Sequence, residues 1–352
     1  MQSILKLPES VKRLSQARKR AFNSIFTVSR ETGRCVIPPT MRSWAERQFG
    51  SVRKLEQQPI VHVTNTVVGE GTLFNALRAS RPMHRTGSVS GERLDEQAAR
   101  EPFRHVLTHT PEDVFGRIYG PTEVTASNVA KYDALHGLVI FNRANPLMFT
   151  RHEVVDHFHT AMKWLERAHE SDKEALFPVI AWNCLWKAGA SLVHGHMQTL
   201  LGKHHHYAAL ERLRVAARSY KRKHKRAYFD VLFNVHSSLG LGKKTGRHRV
   251  FASITPRKEK EVVVLSEAAD DELFTLVYHL LHSVRSLGVE SFNVAMMLPP
   301  LDGSWRSWPI ITRIVDRGGL ANRTTDIGVM ELYLAESVVA SDPVKVWKAL
   351  KF

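Results

Sequence analysis

Cysteine is nearly missing from this chain: Cys35 and Cys184 are the only two in 352 residues. Two thiols build neither a disulfide framework nor a cysteine-rich zinc site, and such sparse use fits a reducing compartment, expected here to be the cytoplasm. Long apolar runs are also lacking. None approaches the roughly 18 residues that a membrane-spanning helix needs, so no membrane partner is expected. Acid is the third shortage. Asp and Glu total 34 against 50 Lys and Arg, a net charge of +16 with histidine neutral. That imbalance favours anionic partners such as nucleotides, sugar phosphates or nucleic acid, without choosing among them.

What is present suits a folded enzyme-sized chain. Apolar residues make up 43%, enough for one or two cores. Part of the basic excess is local: residues 212–226 read RLRVAARSYKRKHKR, with eight Lys or Arg and no acid. This is either a solvated helix face or a patch for nucleic acid. The first 26 residues carry several bases and one acid, Glu9. They read as an ordinary N-terminal helix, with an organellar presequence as the alternative, and they lack the apolar core of a secretory signal.

The order of elements repeats. Residues 137–141 (GLVIF) read as a buried strand, and Thr150 with Glu153 forms a capping box that opens a helix. Val154, Phe158, Met162 and Leu165 fall on one face of that helix. Strands follow at 178–183 (PVIAWN) and 192–200, separated by a turn at Gly189. The second half runs the same way: a strand at 261–265 (EVVVL), a helical stripe from Leu273 to Leu287 closed by Gly288, then strands at 292–298 and 308–315. Asp342 and Pro343 start a last helix as N-cap and first residue. Two strand–helix–strand–strand units predict an α+β fold of antiparallel sheet with packed helices. The expected division is residues 1–202, a basic linker over 203–245, and 246–352.

The chemistry concentrates in residues 183–198, NCLWKAGASLVHGHMQ. On a strand His194, His196 and Gln198 point the same way. Imidazole is a nucleophile near neutral pH, a neighbouring carbonyl or histidine can fix its tautomer, and an amide can donate to phosphoryl oxygens. The backbone N–H groups of residues 189–191 are candidates for stabilising developing negative charge. By itself His-x-His also fits a structural or metal-binding pair.

The longer pattern narrows this. Asn183, then Gly189-Ala190-Ser191, then His194-x-His196-x-Gln198 resembles the active-site signature of the galactose-1-phosphate uridylyltransferases of the histidine-triad (HIT) superfamily, which includes ADP-glucose and diadenosine-tetraphosphate phosphorylases. Residues 32–42 (TGRCVIPPTMR), 128–137 (NVAKYDALHG) and 330–336 (MELYLAE) are similar to flanking segments of that family. The resemblance implies two tandem HIT-like halves, with catalytic histidines in the first. It implies His196 as nucleophile, Gln198 stabilising the nucleotidylated enzyme, His194 orienting His196, and Ser191, Asn183, Gly189, Ala190 and Asn128 around phosphate and nucleotide. It implies a nucleotide or nucleotide-sugar substrate and a homodimer.

This chain departs from that pattern at Glu101 and Arg104, which stand where many relatives carry a Cys-Pro-Phe-Cys metal pair. Without thiolates the usual zinc site is not expected, and no cofactor is required. Residues 309–315 (PIITRIV) lack the second-half metal histidines of some uridylyltransferases, and Tyr333 stands where hexose-binding relatives carry a carboxylate. The expected activity is nucleotidyl transfer through a nucleotidyl-His196 intermediate. The alternatives are a nucleotide phosphorylase or hydrolase, or a catalytically silent basic protein that binds RNA or an assembly through residues 212–226. His204, His205 and His206 are read as a surface turn, Trp164, Trp182 and Trp186 as core or pocket wall, and Arg306 and Arg313 as surface or structural residues.

Overall fold

A computed structural model describes residues 1–82 and 90–352. The strands are β1 (Phe26–Arg34), β2 (Gln57–Asn65), β3 (Glu70–Phe74), β4 (Glu123–Ser127), β5 (Leu135–Phe141), β6 (Phe177–Cys184), β7 (His196–Gly202), β8 (Gly242–Thr245), β9 (His248–Ala252), β10 (Glu259–Ser266), β11 (Phe292–Met297), β12 (Ile310–Asp316) and β13 (Glu336–Val339). Nine of them form one antiparallel sheet in the order β4-β5-β7-β6-β11-β12-β10-β9-β8. The fold is α+β, and the sequence repeat is visible in it. Strand β5, the helix Arg151–Ser171, β6 and β7 make one unit; β10, the helix Asp271–Ser286, β11 and β12 make the other. The units meet where β6 pairs with β11, so the sheet runs unbroken across them.

The two long helices cover one face. Thr150 caps the first, with its Oγ1 accepting from Glu153 N–H and the Glu153 carboxylate accepting from Thr150 N–H. That box ends a loop and starts the helix at one residue. The apolar stripe it launches buries Val154, Phe158, Trp164 and Leu165 against β5, β6 and β7. Phe158 stacks on Phe274 of the second helix, ring centres 5.1 Å apart. Val262 and Val264 of β10 join the same core, while Val263 and Leu265 point to the opposite face, as strand alternation requires.

The opposite face holds most of what the sequence did not show. Strands β1, β2, β3 and β13 form a second sheet, in which β13 pairs in parallel with β3. The segment over 203–245, expected as a linker, instead contains the helices Ala208–His224 and Tyr228–Ser238. Tyr220, Tyr228, Phe229, Val231 and Phe233 pack with Phe251, Val263 and Ile311 of the large sheet. The charges that made it read as a linker lie on the outer side of an amphipathic helix. The basic N-terminal segment is likewise part of the fold, burying Ile4, Leu7, Val11 and Phe22 in this core. His204 and His205 are exposed as expected, but His206 is fully buried, its Nε2 donating to Leu298 carbonyl at 3.2 Å. No helix among the described residues is long and apolar enough to cross a membrane.

Candidate active site

Strand β7 lies between β5 and β6, with His196 opposite Ile140 and Gln198 opposite both Leu138 and Ala181. Met197 enters the core under the long helices, which turns His196 and Gln198 to the other face. Beside them the half-exposed residues Val179, Ala181 and Asn183 of β6 adjoin Asn293, Ala295 and Met297 of β11. This strip of sheet is only partly covered, and the strand carrying the buried His196 borders it.

The expected strand over 192–200 starts later, at His196. The reason is Glu101, whose carboxylate oxygens accept from Val193 N–H at 2.9 Å and His194 N–H at 2.7 Å. Those donors are therefore withheld from any neighbouring strand. Gly195 makes the transition, donating to Ala144 carbonyl and accepting from Phe141 N–H. The expected shared face thus holds for His196 and Gln198 only. His194 precedes the strand and turns its Nε2–H to Phe141 carbonyl at 2.8 Å. Phe103 still meets both imidazoles edge-on, at 5.1 Å from His196 and 6.0 Å from His194.

His196 donates from Nδ1 to His194 carbonyl at 2.8 Å. A carbonyl only accepts, so the proton sits on Nδ1 and Nε2 keeps its lone pair. Nε2 has no hydrogen-bond partner among the described residues, and it is not one of the sealed polar atoms. Burial holds both His196 and His194 below the ordinary histidine pKa, outweighing the carbonyl hydrogen bonds that act the other way. The site therefore presents a neutral, oriented imidazole in a buried side chain whose Nε2 is not fully sealed. His194 contributes to this through its backbone carbonyl, while its ring Nδ1 is sealed and unpartnered.

The remaining sequence candidates fall into two groups around this nitrogen. His136 Nδ1 accepts from Tyr132 N–H, and its Nε2 lies 3.1 Å from Asn128 Nδ2. Asn128 and His136 are thus one polar pair, and Gln198 lies diagonally across from His136 on β7. On the other side, Asn183 Oδ1 accepts from Asn293 Nδ2 at 2.6 Å. Asn293 also donates to Ala188 carbonyl, and its Oδ1 accepts from Arg317, which is clamped bidentately by Asp326. The turn itself is a single 3-10 turn, Trp186–Ala188, entered by Leu185 at φ 68° and left by Gly189 at φ 94°. Its geometry spends the Gly189 and Ala190 N–H groups on Trp186 and Leu185 carbonyls. Of the three N–H groups expected to serve an anion, Ser191 N–H alone is uncommitted among the described residues.

His136, Phe103, Asn293 and Arg317 were not singled out in the sequence. His136 has a signal, since it alternates with Leu138 and Ile140 on the face of β5 beside β7. Asn293 and Arg317 carry no local motif: Asn293 meets Asn183 from 110 residues away, and Arg317 meets Asn293 from 24. Arg313 is structural: Glu261 grips it bidentately at 2.7 and 2.9 Å, which raises its pKa despite burial. Arg306 and Tyr333 are exposed, Trp164 and Trp182 are core, and Trp186 stands half-open in the turn. The residues at the supposed metal pair do not suit a zinc ion. Both Glu101 oxygens are already engaged by backbone donors and Arg104 is an exposed cation. Among the described residues no group of three or more His, Cys, Asp or Glu converges to hold a metal.

The fold is similar to that of several solved nucleotidyl-transfer proteins. An Arabidopsis thaliana ADP-glucose phosphorylase, solved with bound ADP-glucose, superposes with a TM-score of 0.60 at 13% identity, over 82% of this chain and 97% of its own. A GalT-like protein of the same plant gives 0.56 at 13% identity, over 82% and 97%. A uridylyltransferase gives 0.54 at 12% identity, over 82% and 96%. At these identities the likeness is one of fold. No protein-family model matches the chain, and no curated protein matches it.

Proposed function

We propose that this protein is a nucleotidyltransferase that passes a nucleoside monophosphate from a nucleotide sugar or dinucleoside polyphosphate to a phosphate acceptor through His196. The observation that carries the reading is the fixed tautomer: His194 carbonyl holds the Nδ1 proton, leaving Nε2 as the free nucleophile. In the first step the Nε2 lone pair forms a bond to the α-phosphorus as the P–O bond to the leaving phosphate breaks, and that oxygen departs with the electron pair. Nδ1 keeps its proton, and the cationic ring is stabilised by the His194 carbonyl dipole. In the second step an acceptor phosphate oxygen attacks the phosphorus, the N–P bond breaks, and the electron pair returns to Nε2. Ser191 N–H and the Gln198 amide are the donors nearest in sequence to the developing charge, and the partly covered strip over β6 and β11 beside β7 gives the substrate its bed. The reading requires no metal.

Intact-protein mass spectrometry tests it. The protein is incubated with UDP-glucose, UDP-galactose, ADP-glucose or diadenosine tetraphosphate, beside His196→Ala. An acid-labile gain of one nucleoside monophosphate, absent in the variant, is expected and identifies the base. An adduct that persists in His196→Ala, or no adduct and no turnover with any of the four donors, overturns the assignment.

A further inference from the structure

The positive charge of this protein is concentrated in two segments far apart in sequence. Residues 12–20 hold five Lys or Arg and residues 212–226 hold eight, with no acid in either. Thirteen of the net sixteen charges therefore sit in 24 residues. The fold brings these segments together: Ser24, just past the helix Gln16–Asn23, hydrogen-bonds Tyr220 of the helix Ala208–His224 through their hydroxyls at 2.6 Å. Arg20 and Lys223 lie about one turn from that contact on their respective helices.

Almost none of this charge is neutralised. Arg214 pairs with Glu211, and the other twelve cations have no carboxylate partner among the described residues. Eleven of the twelve are exposed, and Lys19 is half-exposed. Cations elsewhere, such as Arg143, Lys203, Arg247, Arg249 and Arg257, do have acidic partners. A surface of one sign costs the compact state self-repulsion, which an external polyanion relieves.

We propose that this face binds a nucleic-acid duplex through its phosphates, independently of the His196 site. The helix Ala208–His224 has 17 residues. It is about 25 Å long, a span over which one strand of a duplex presents about seven phosphates. A single strand fits less well, because it needs open aromatic rings for base stacking. The one aromatic residue between 212 and 226, Tyr220, is buried and stacked on His224 at 4.4 Å. An anionic membrane fits less well too, since the sole large apolar side chain exposed on this helix is Val215.

The test is fluorescence anisotropy of an end-labelled RNA duplex of roughly 20 base pairs, titrated with full-length protein at several salt concentrations. We expect log Kd to rise with log salt with a slope of about four or more. The variant Arg18→Glu/Arg218→Glu/Lys221→Glu/Arg222→Glu alters only exposed, unpaired side chains. It should weaken binding by at least about 30-fold and flatten the salt slope. A control with the same charge change at exposed sites elsewhere, Arg34→Glu/Arg47→Glu/Lys163→Glu/Lys173→Glu, should bind within about threefold of the parent. His196→Ala should bind like the parent, so failure of the catalytic reading leaves this result standing. Equal weakening by both quadruple variants would reduce the effect to net charge and overturn the proposal. So would an absence of duplex binding at low salt, tighter binding to a single strand of the same length, or tighter binding to phosphatidylserine vesicles.

Discussion

Replacing Glu101 probes the part of the site that departs furthest from the expected pattern. Its two oxygens hold two consecutive backbone N–H groups, those of Val193 and His194, at 2.9 and 2.7 Å. Hydrogen bonds to a charged acceptor contribute about 1.5–3 kcal/mol each. Glu101 is partly exposed, so water can substitute in part, and the lower end applies. Glu101→Ala should then cost about 3 kcal/mol, and Glu101→Gln about half, because its single amide oxygen serves one donor well. Arg104, exposed at the other supposed metal position, should cost under about 0.5 kcal/mol when changed to Ala. Urea unfolding with unchanged m-values measures all three. The same substitutions have a second readout. His194 carbonyl orients His196, so freeing the His194 backbone should slow formation of the nucleotidyl adduct by about 10- to 100-fold in Glu101→Ala, with less effect in Glu101→Gln. A loss below about 1 kcal/mol in Glu101→Ala, with adduct formation at the parent rate, would refute the claim that this carboxylate positions the histidine loop.

Two further predictions concern the frame around the site. A Cβ at Gly137 would fall on the indole of Trp164, which is fully buried and tied to Asp113 through Nε1–H at 2.7 Å. Gly137→Ala should therefore destabilise the protein by about 3 kcal/mol, read as a lower urea midpoint. The buried His236 has its pKa pushed down to about 4 by burial, below the ordinary 6.5. The unfolded chain binds that proton first, so its stabilising effect is complete above pH 6.5 and is lost as pH falls towards 4. At pH 5 His236 should cost about 2 kcal/mol relative to pH 7, and His236→Gln should show a shallower acid decline over that interval.

How much of this was legible in the sequence depended on how local each signal was. The capping box at Thr150 and Glu153, the repeated strand–helix–strand–strand order and the Asp342-Pro343 helix start are written within a few residues, and the structure has each of them. His196 and Gln198 were legible for the same reason, since alternation alone puts them on one face. The turn donors were misjudged because a turn spends its own N–H groups, which spacing cannot reveal. His206 was misjudged because adjacency in a run of three histidines says nothing of which ring finds a distant carbonyl, here that of Leu298. The small sheet was invisible because its last pairing joins β3 to β13 across most of the chain. Glu101 was legible as a departure from the metal pair, and the structure gives it a positive task.

The misread segment over 203–245 also bears on why only one half carries a candidate nucleophile. Strands β7 and β12 occupy mirrored places in the sheet, each lying one strand away from the β6–β11 junction. Both aim side chains at the same face, His196 and Gln198 from one and Ile311 and Arg313 from the other. Over β12 that face is roofed by the helices Ala208–His224 and Tyr228–Ser238, with Tyr228 and Phe229 packed on Ile311 and its neighbours. At that place the chain carries a half-buried arginine gripped by Glu261, and this arginine lines a cavity of about 270 Å³ together with Ile311, Tyr228 and Phe229. Beside β7 the strip over β6 and β11 is partly covered, and the second half sends Asn293, held by Arg317, to its edge to meet Asn183. The basic helices thus do two things at once on opposite sides. Their apolar faces pack on the sheet of the second half, while their outer faces carry the charge that the rest of the chain does not neutralise.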